Sequence, residues 1–126
     1  MKKAVVTENA PKAIGPYSQA ISDGTYLFCS GQIPLVPGTG KLVQGGIESQ
    51  AIQVLTNLKA VIEAAGSSMA GVVKTTILLA DMEDFKTVNS VYASFFEEPF
   101  PARATFQVAR LPMDARVEIE AICKLR

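Results

Sequence analysis

The stretch Gly46-Ile47-Glu48-Ser49-Gln50-Ala51-Ile52-Gln53-Val54-Leu55-Thr56-Asn57-Leu58-Lys59-Ala60-Val61-Ile62-Glu63-Ala64-Ala65-Gly66, followed by Gly71-Val72-Val73-Lys74-Thr75-Thr76-Ile77-Leu78-Leu79-Ala80, decides the fold class. In the first part Ile47, Ala51, Val54, Leu55, Leu58, Val61, Ile62 and Ala65 fall on one apolar stripe at helical spacing, and Gly66 is a natural stop. This predicts a helix over 46–65. The second part is rich in β-branched residues and reads as a strand over 71–80. Helix and strand therefore alternate within one short chain.

Working outward, Asp81 is a plausible N-cap for a second helix whose stripe is Phe85, Val88, Tyr92, Phe95 and Phe96, ended by Pro99 and Pro101. Ala104–Ala109 and Arg116–Lys124 read as the last two strands, joined by a loop containing Leu111-Pro112. Toward the N-terminus, Ala4–Thr7 reads as a short strand, and Asn9-Ala10-Pro11 and Ile14-Gly15-Pro16 interrupt regular structure. Tyr17–Ile21 and Thr25–Ser30 flank Asp23-Gly24, a hairpin turn; Gly31 follows the second strand, and Pro34–Gly40 is a turn-rich loop. The order ββ(β)αβαββ makes this an α+β domain, with two helices covering one face of a mixed sheet of five or six strands. In the last strand Val117, Ile119, Ala121 and Cys123 point one way and Glu118, Glu120 and Ile122 the other. A face with helices on only one side and apolar residues on the other predicts burial against a second copy.

Composition bounds the function. At 126 residues, 48% of them apolar, the chain suits a single domain, residues 1–126, with a real core. Twelve lysines and arginines balance twelve acidic residues, which gives no global electrostatic reason to bind nucleic acid or an anionic membrane. No apolar run approaches a membrane span. Met1–Val6 begins like a signal peptide, but Thr7-Glu8-Asn9 closes the apolar part too soon. Cys29 and Cys123 each sit in an apolar strand pattern and read as buried, reduced thiols, so a cytoplasmic location is expected. Without histidine the usual zinc constellations and thiol or hydroxyl nucleophiles activated by imidazole are absent, and no metal is expected.

Arg103 heads the candidate site residues: a planar, permanently charged fork, preceded by Pro101, suits a carboxylate. An ion pair with a carboxylate such as Glu118 is the competing reading, and from the residues alone the more common one. Glu118 and Glu120 share a strand face, where one could handle protons or water while the other stays solvated. Tyr17 follows the rigid Gly15-Pro16 turn, and Ser30-Gly31 ends a strand where a ligand could approach the backbone. Asn89 lies beside the apolar stripe of the second helix. A packed aromatic, a plain turn and a solvated amide are the bland readings of these three places.

These residues, taken with their neighbours, carry a resemblance. Ile14-Gly15-Pro16-Tyr17-Ser18-Gln19-Ala20, Cys29-Ser30-Gly31-Gln32-Ile33-Pro34, Gln50 with Asn57-Leu58, and Pro101-Ala102-Arg103 through Val117-Glu118-Ile119-Glu120-Ala121 resemble the Rid/YjgF family, and within it the RidA enamine/imine deaminases. The likeness runs from about Ala10 to the C-terminus. It implies a chorismate-mutase-like fold, a homotrimer with ligand clefts between subunits, and no cofactor. It implies hydrolysis of 2-aminoacrylate and 2-aminocrotonate, or their imine tautomers, to 2-oxo acids and ammonia. By the same likeness Arg103 binds the substrate carboxylate, Glu118 activates water, and Tyr17, Ser30, Gly31, Asn89 and Thr105 line the cleft. Relatives have also been described as endoribonucleases and translation inhibitors, and a ligand-sensing or holdase-type role is the third alternative. Thr105 stands where many RidA members have cysteine, and the connection from Phe96 to Phe100 is shorter than in some members.

Overall fold

The computed structural model describes all 126 residues. In chain order its elements are β1 (Lys3–Val5), β2 (Ala20–Ser22), β3 (Tyr26–Gln32), β4 (Leu35–Val36), β5 (Lys41–Leu42), α1 (Ile47–Ala64), β6 (Val72–Leu79), α2 (Phe85–Ala93), β7 (Ala102–Gln107) and β8 (Val117–Lys124). Six strands form one sheet in the order β1-β2-β3-β8-β6-β7. Every pairing in it is antiparallel except β6 with β7. A parallel neighbour needs a crossover, and α2 supplies it; α1 likewise crosses from β3 to β6, which flank β8. The expected α+β class and the two helices on one face both hold.

α1 forms for the reason its stripe implies. Ala51, Val54, Leu55, Leu58, Val61 and Ile62 are fully buried, and they meet Leu27, Ile77, Leu79, Val117 and Ile119 from the sheet. Each such large side chain contributes about 1.5–3 kcal/mol on leaving water. The helix ends at Ala64, and Gly66 takes the left-handed φ of 83° that a β-carbon would disfavour. Asn57 is the polar intrusion on this face. Fully buried, it donates to the Leu35 carbonyl at 2.8 Å and accepts from Gln53 at 2.9 Å, tying the helix to β4.

Several boundaries move from the sequence reading. Pro34–Gly40 is not simply loop: β4 pairs with β5 in a small hairpin of its own. Gly31 lies inside β3, within an irregularity where Ser30 and Gly31 together face one position of β8. The first strand is Lys3–Val5, and β2 starts at Ala20, because the Gly15-Pro16 turn holds Tyr17 out of the sheet. α2 stops at Ala93, before the prolines, and Asp81 caps a short 3-10 turn, Met82–Asp84, by accepting from Glu83 N–H at 2.9 Å. β7 begins at Ala102, two residues earlier than expected, because parallel pairing with β6 opens at Lys74 and Ala102. Arg103 is thus held within the strand and not at its mouth.

The other face of the sheet has no covering layer in this chain. Phe28 and Phe106 remain 44% and 49% exposed there, beside Ile122, Thr76 and Glu120. Cys29 and Cys123 point to the opposite, buried face and are unpaired. Burial pushes the Cys29 thiol up to about 12 and raises Cys123 as well, so neither is a thiolate near neutrality. A Cys29→Ala, Cys123→Ala variant that folds is expected to keep turnover within about twofold of wild type, since an unionised buried thiol offers no nucleophile. A folded double variant that loses the activity of the wild type would refute this.

Candidate functional site

Two depressions hold the predicted residues other than Thr105, one on each side of the sheet. The first, of about 550 Å³, is walled by Tyr17, Ser30, Gly31, Ile33, Glu118 and Glu120 among others. Its floor comes from the irregularity in β3. Glu118 rises from β8 on the open face and lays its carboxylate against Gly31, where a β-carbon would overlap an oxygen and lie 2.9 Å from the carboxyl carbon. Glycine is required here for space, not for φ. Gly31→Ala is therefore expected to displace the carboxylate while leaving the strand intact, and to lower turnover on the order of tenfold to a hundredfold, as small misplacements of a reacting group do. Unchanged turnover in the alanine variant would show that the position of Glu118 is immaterial.

The rest of that wall is organised by Ser30 and by Gln19, the second of which the sequence reading did not single out. Gln19, buried, accepts from Thr7 N–H at 2.8 Å and donates to the carbonyls of Thr7 at 3.0 Å and Pro11 at 2.8 Å, which folds the N-terminal loop around Tyr17. Ser30 donates its hydroxyl proton to the Ser18 carbonyl, also placing that loop; its oxygen lone pairs remain for a ligand. The one signal for Gln19 was its place in the Gly-Pro-Tyr-Ser-Gln run. Glu118 is half-buried, and its pKa is raised, chiefly by loss of hydration and then by the charge of Glu120.

The second depression, about 210 Å³, lies on the helix side, lined by Asn89, Tyr92, Ala93, Phe100, Pro101 and Arg103. Parity explains the separation. Arg103 pairs with Thr75, which is fully buried beneath the helices, whereas Glu118 pairs with Leu78, three residues further along β6 and therefore on the opposite face. The Arg103–Glu118 ion pair considered from sequence does not form; the two ion pairs of the chain are Arg110–Asp114 and Arg116–Asp84. Instead the guanidinium lies over Tyr92 at 5.0 Å and Phe85 at 5.7 Å from the ring centroids. Tyr92 is fixed in turn by a 2.8 Å hydrogen bond with Thr75. Arg103 is thus oriented by aromatic faces and keeps its donors free. Thr105 lines neither depression: it pairs with Ile77, and its buried hydroxyl has no partner.

No group of three or more acidic or cysteine side chains comes together as a metal-binding cluster. No helix is long and apolar enough to cross a membrane. What the geometry offers is a carboxylate of raised pKa in one cavity and an unpaired guanidinium in another, facing away from it.

The chain is similar to known proteins over nearly its whole length. The family described as Endoribonuclease L-PSP matches residues 7–125. A RutC family protein of Pyrococcus horikoshii is 56% identical, covering 97% of both chains. The human 2-iminobutanoate/2-iminopropanoate deaminase is 48% identical over 97% of this chain and 89% of its own. The crystal structure of the Escherichia coli YjgF gene product superposes with a TM-score of 0.92 at 49% identity, covering 98% of this chain and 99% of that one. Escherichia coli TdcF, solved with bound serine, does so at 0.93 and 44% identity, with the same coverage.

Proposed function

The chain belongs to the endoribonuclease L-PSP (Rid/YjgF) family, and from that premise we propose that it hydrolyses 2-imino acids, 2-iminobutanoate and 2-iminopropanoate among them, at clefts between the subunits of a homotrimer. The observation that carries this reading is the division of the candidate residues: Tyr17, Ser30, Gly31 and Glu118 on one face, Asn89 and Arg103 on the other. Neither half is a complete site. A head-to-tail interface, in which the guanidinium groove of one copy meets the carboxylate cavity of the next, joins them, and a rotation of a third of a turn between copies closes such an interface into a three-membered ring. The uncovered sheet face supports assembly independently.

In the joined cleft Arg103 grips the substrate carboxylate through parallel N–H donors. Glu118 from the neighbouring copy takes a proton from water, whose oxygen adds to the imine carbon as the C=N electrons move to nitrogen. The protonated Glu118 then returns a proton to that nitrogen. Glu118 then carries the carbinolamine's hydroxyl proton to nitrogen as the C–O bond becomes C=O and the C–N bond breaks, releasing ammonia, so that imino acid and water give oxo acid and ammonia in balance. An enamine enters by tautomerising to the imine. The raised pKa of Glu118 serves both steps, making it a stronger base and then a usable acid near neutral pH.

The test is release of 2-oxobutanoate in an assay coupled to a threonine dehydratase, with RNA cleavage measured alongside. Acceleration that Arg103→Ala abolishes supports the proposal; no acceleration by an assembled wild-type protein rejects it. RNA cleavage that Arg103→Ala abolishes would favour the ribonuclease reading instead. The pH profile gives a second check. Because Glu118 acts ionised and its pKa is raised, the acid limb of the rate should lie above the usual glutamate range. Glu120→Gln removes one of the two causes and should move that limb to lower pH. An acid limb that stays in place in Glu120→Gln would mean another group governs it.

A further inference from the structure

The segment Pro112-Met113-Asp114, between β7 and β8, carries the only two non-glycine residues with left-handed backbone, Met113 at φ 57° and Asp114 at φ 56°. A β-carbon makes that conformation costly, most of all for a long side chain with no local hydrogen bond to offer, such as methionine. The turn is anchored at its ends by Leu111 and Ala115, both buried. Asp114 N–H donates to the Leu111 carbonyl at 3.2 Å and Ala115 N–H to the Pro112 carbonyl at 3.1 Å. Arg110 grips Asp114 with two bonds, 2.7 and 3.2 Å, but both side chains are more than two-thirds exposed, so this pair adds little. Glycine at 113 would follow the same path without the penalty.

The chain instead keeps a flexible apolar side chain there, half exposed, and that side chain lines the cavity that holds Glu118. Strain retained at the lip of a candidate site points to a use for the side chain. We propose that Met113 is a specificity-determining residue of this site. It forms, with Tyr17, Ile33 and Leu35, an apolar wall for the side chain of the 2-imino acid, and favours larger apolar side chains over smaller ones. An unbranched thioether suits this role because it adapts to side chains of different shape. The inference rests on the deaminase reading above and adds to it the residue that sorts the substrates.

The test pairs binding with stability, because the two move in opposite directions. Isothermal titration measures the affinities of the product analogues pyruvate and 4-methyl-2-oxopentanoate for the assembled wild type, Met113→Ala, Met113→Gly and Met113→Leu. The preference for the larger oxo acid should fall about five- to tenfold in the alanine and glycine variants, the loss of a few methylene contacts, and persist in Met113→Leu. Met113→Gly should melt about 2–4 °C above Met113→Ala, since both lose the side chain and only glycine relieves the backbone. An unchanged preference in Met113→Ala would overturn the proposal, as would Met113→Gly melting below Met113→Ala, which removes its strain premise. Should wild type deaminate imines but bind both oxo acids equally, this inference falls and the deaminase reading stands. Should it bind neither and deaminate nothing, both fall.

Discussion

Arg103→Lys is expected to cost about 2–4 kcal/mol in transition-state stabilisation, roughly thirty- to a thousandfold in kcat/KM for 2-iminobutanoate. The charge survives this change, so a role limited to electrostatic attraction would predict almost no effect. What lysine loses is the planar fork and its seat. The guanidinium lies over Tyr92 and Phe85, and Tyr92 is itself held by Thr75, so the plane of the donors is fixed before substrate arrives. An ammonium group is a point charge on a mobile stem and can neither lie flat on two rings nor present two parallel N–H bonds to a carboxylate. Steady-state kinetics on the assembled variant check the value. Wild-type kinetics in Arg103→Lys would return Arg103 to a structural role on its aromatic shelf.

How far the sequence reaches is clearest at this residue. The Pro-Ala-Arg run marks Arg103 as a candidate, and alternation along Val117–Lys124 puts Glu118 on the face opposite Val117. Neither pattern says that Arg103 and Glu118 occupy opposite faces of the same sheet. That follows only from the register across β6, where Thr75 pairs with Arg103 and Leu78 with Glu118. Register is a long-range property, set by which strands become neighbours, and alternation within a strand is blind to it. The hairpin of β4 and β5 is invisible for a different reason, since two-residue strands have no period to read. The helices are legible because eighteen residues of α1 repeat one stripe five times over. Asn57 breaks that stripe, and a polar residue on a buried face is a visible signal. Its partner, the β4 carbonyl of Leu35, is not.

The opposition of the two faces leads to the second large effect. Arg103→Ala and Glu118→Gln should each be nearly inactive alone. The first lacks the clamp; the second keeps its shape but cannot take the proton from water, a loss on the order of a hundredfold to ten-thousandfold. Glu118→Gln should still bind pyruvate, because the clamp is intact. If a site takes Arg103 from one subunit and Glu118 from the next, unfolding the two variants together and refolding them creates some clefts with both native residues. With random mixing at equal amounts, the Arg103 side is native in half the clefts and the Glu118 side in half. Activity should therefore recover to about a quarter of wild type, since the two choices are independent in a head-to-tail ring. A site confined to one chain predicts no recovery at all, because every chain in the mixture carries one lesion. Recovery near a quarter, measured against the unmixed variants refolded in the same way, would favour the shared cleft. Activity that stays at the level of the separate variants, in mixed oligomers verified by mass spectrometry, would reject it and with it the mechanism that divides clamp and base between neighbours.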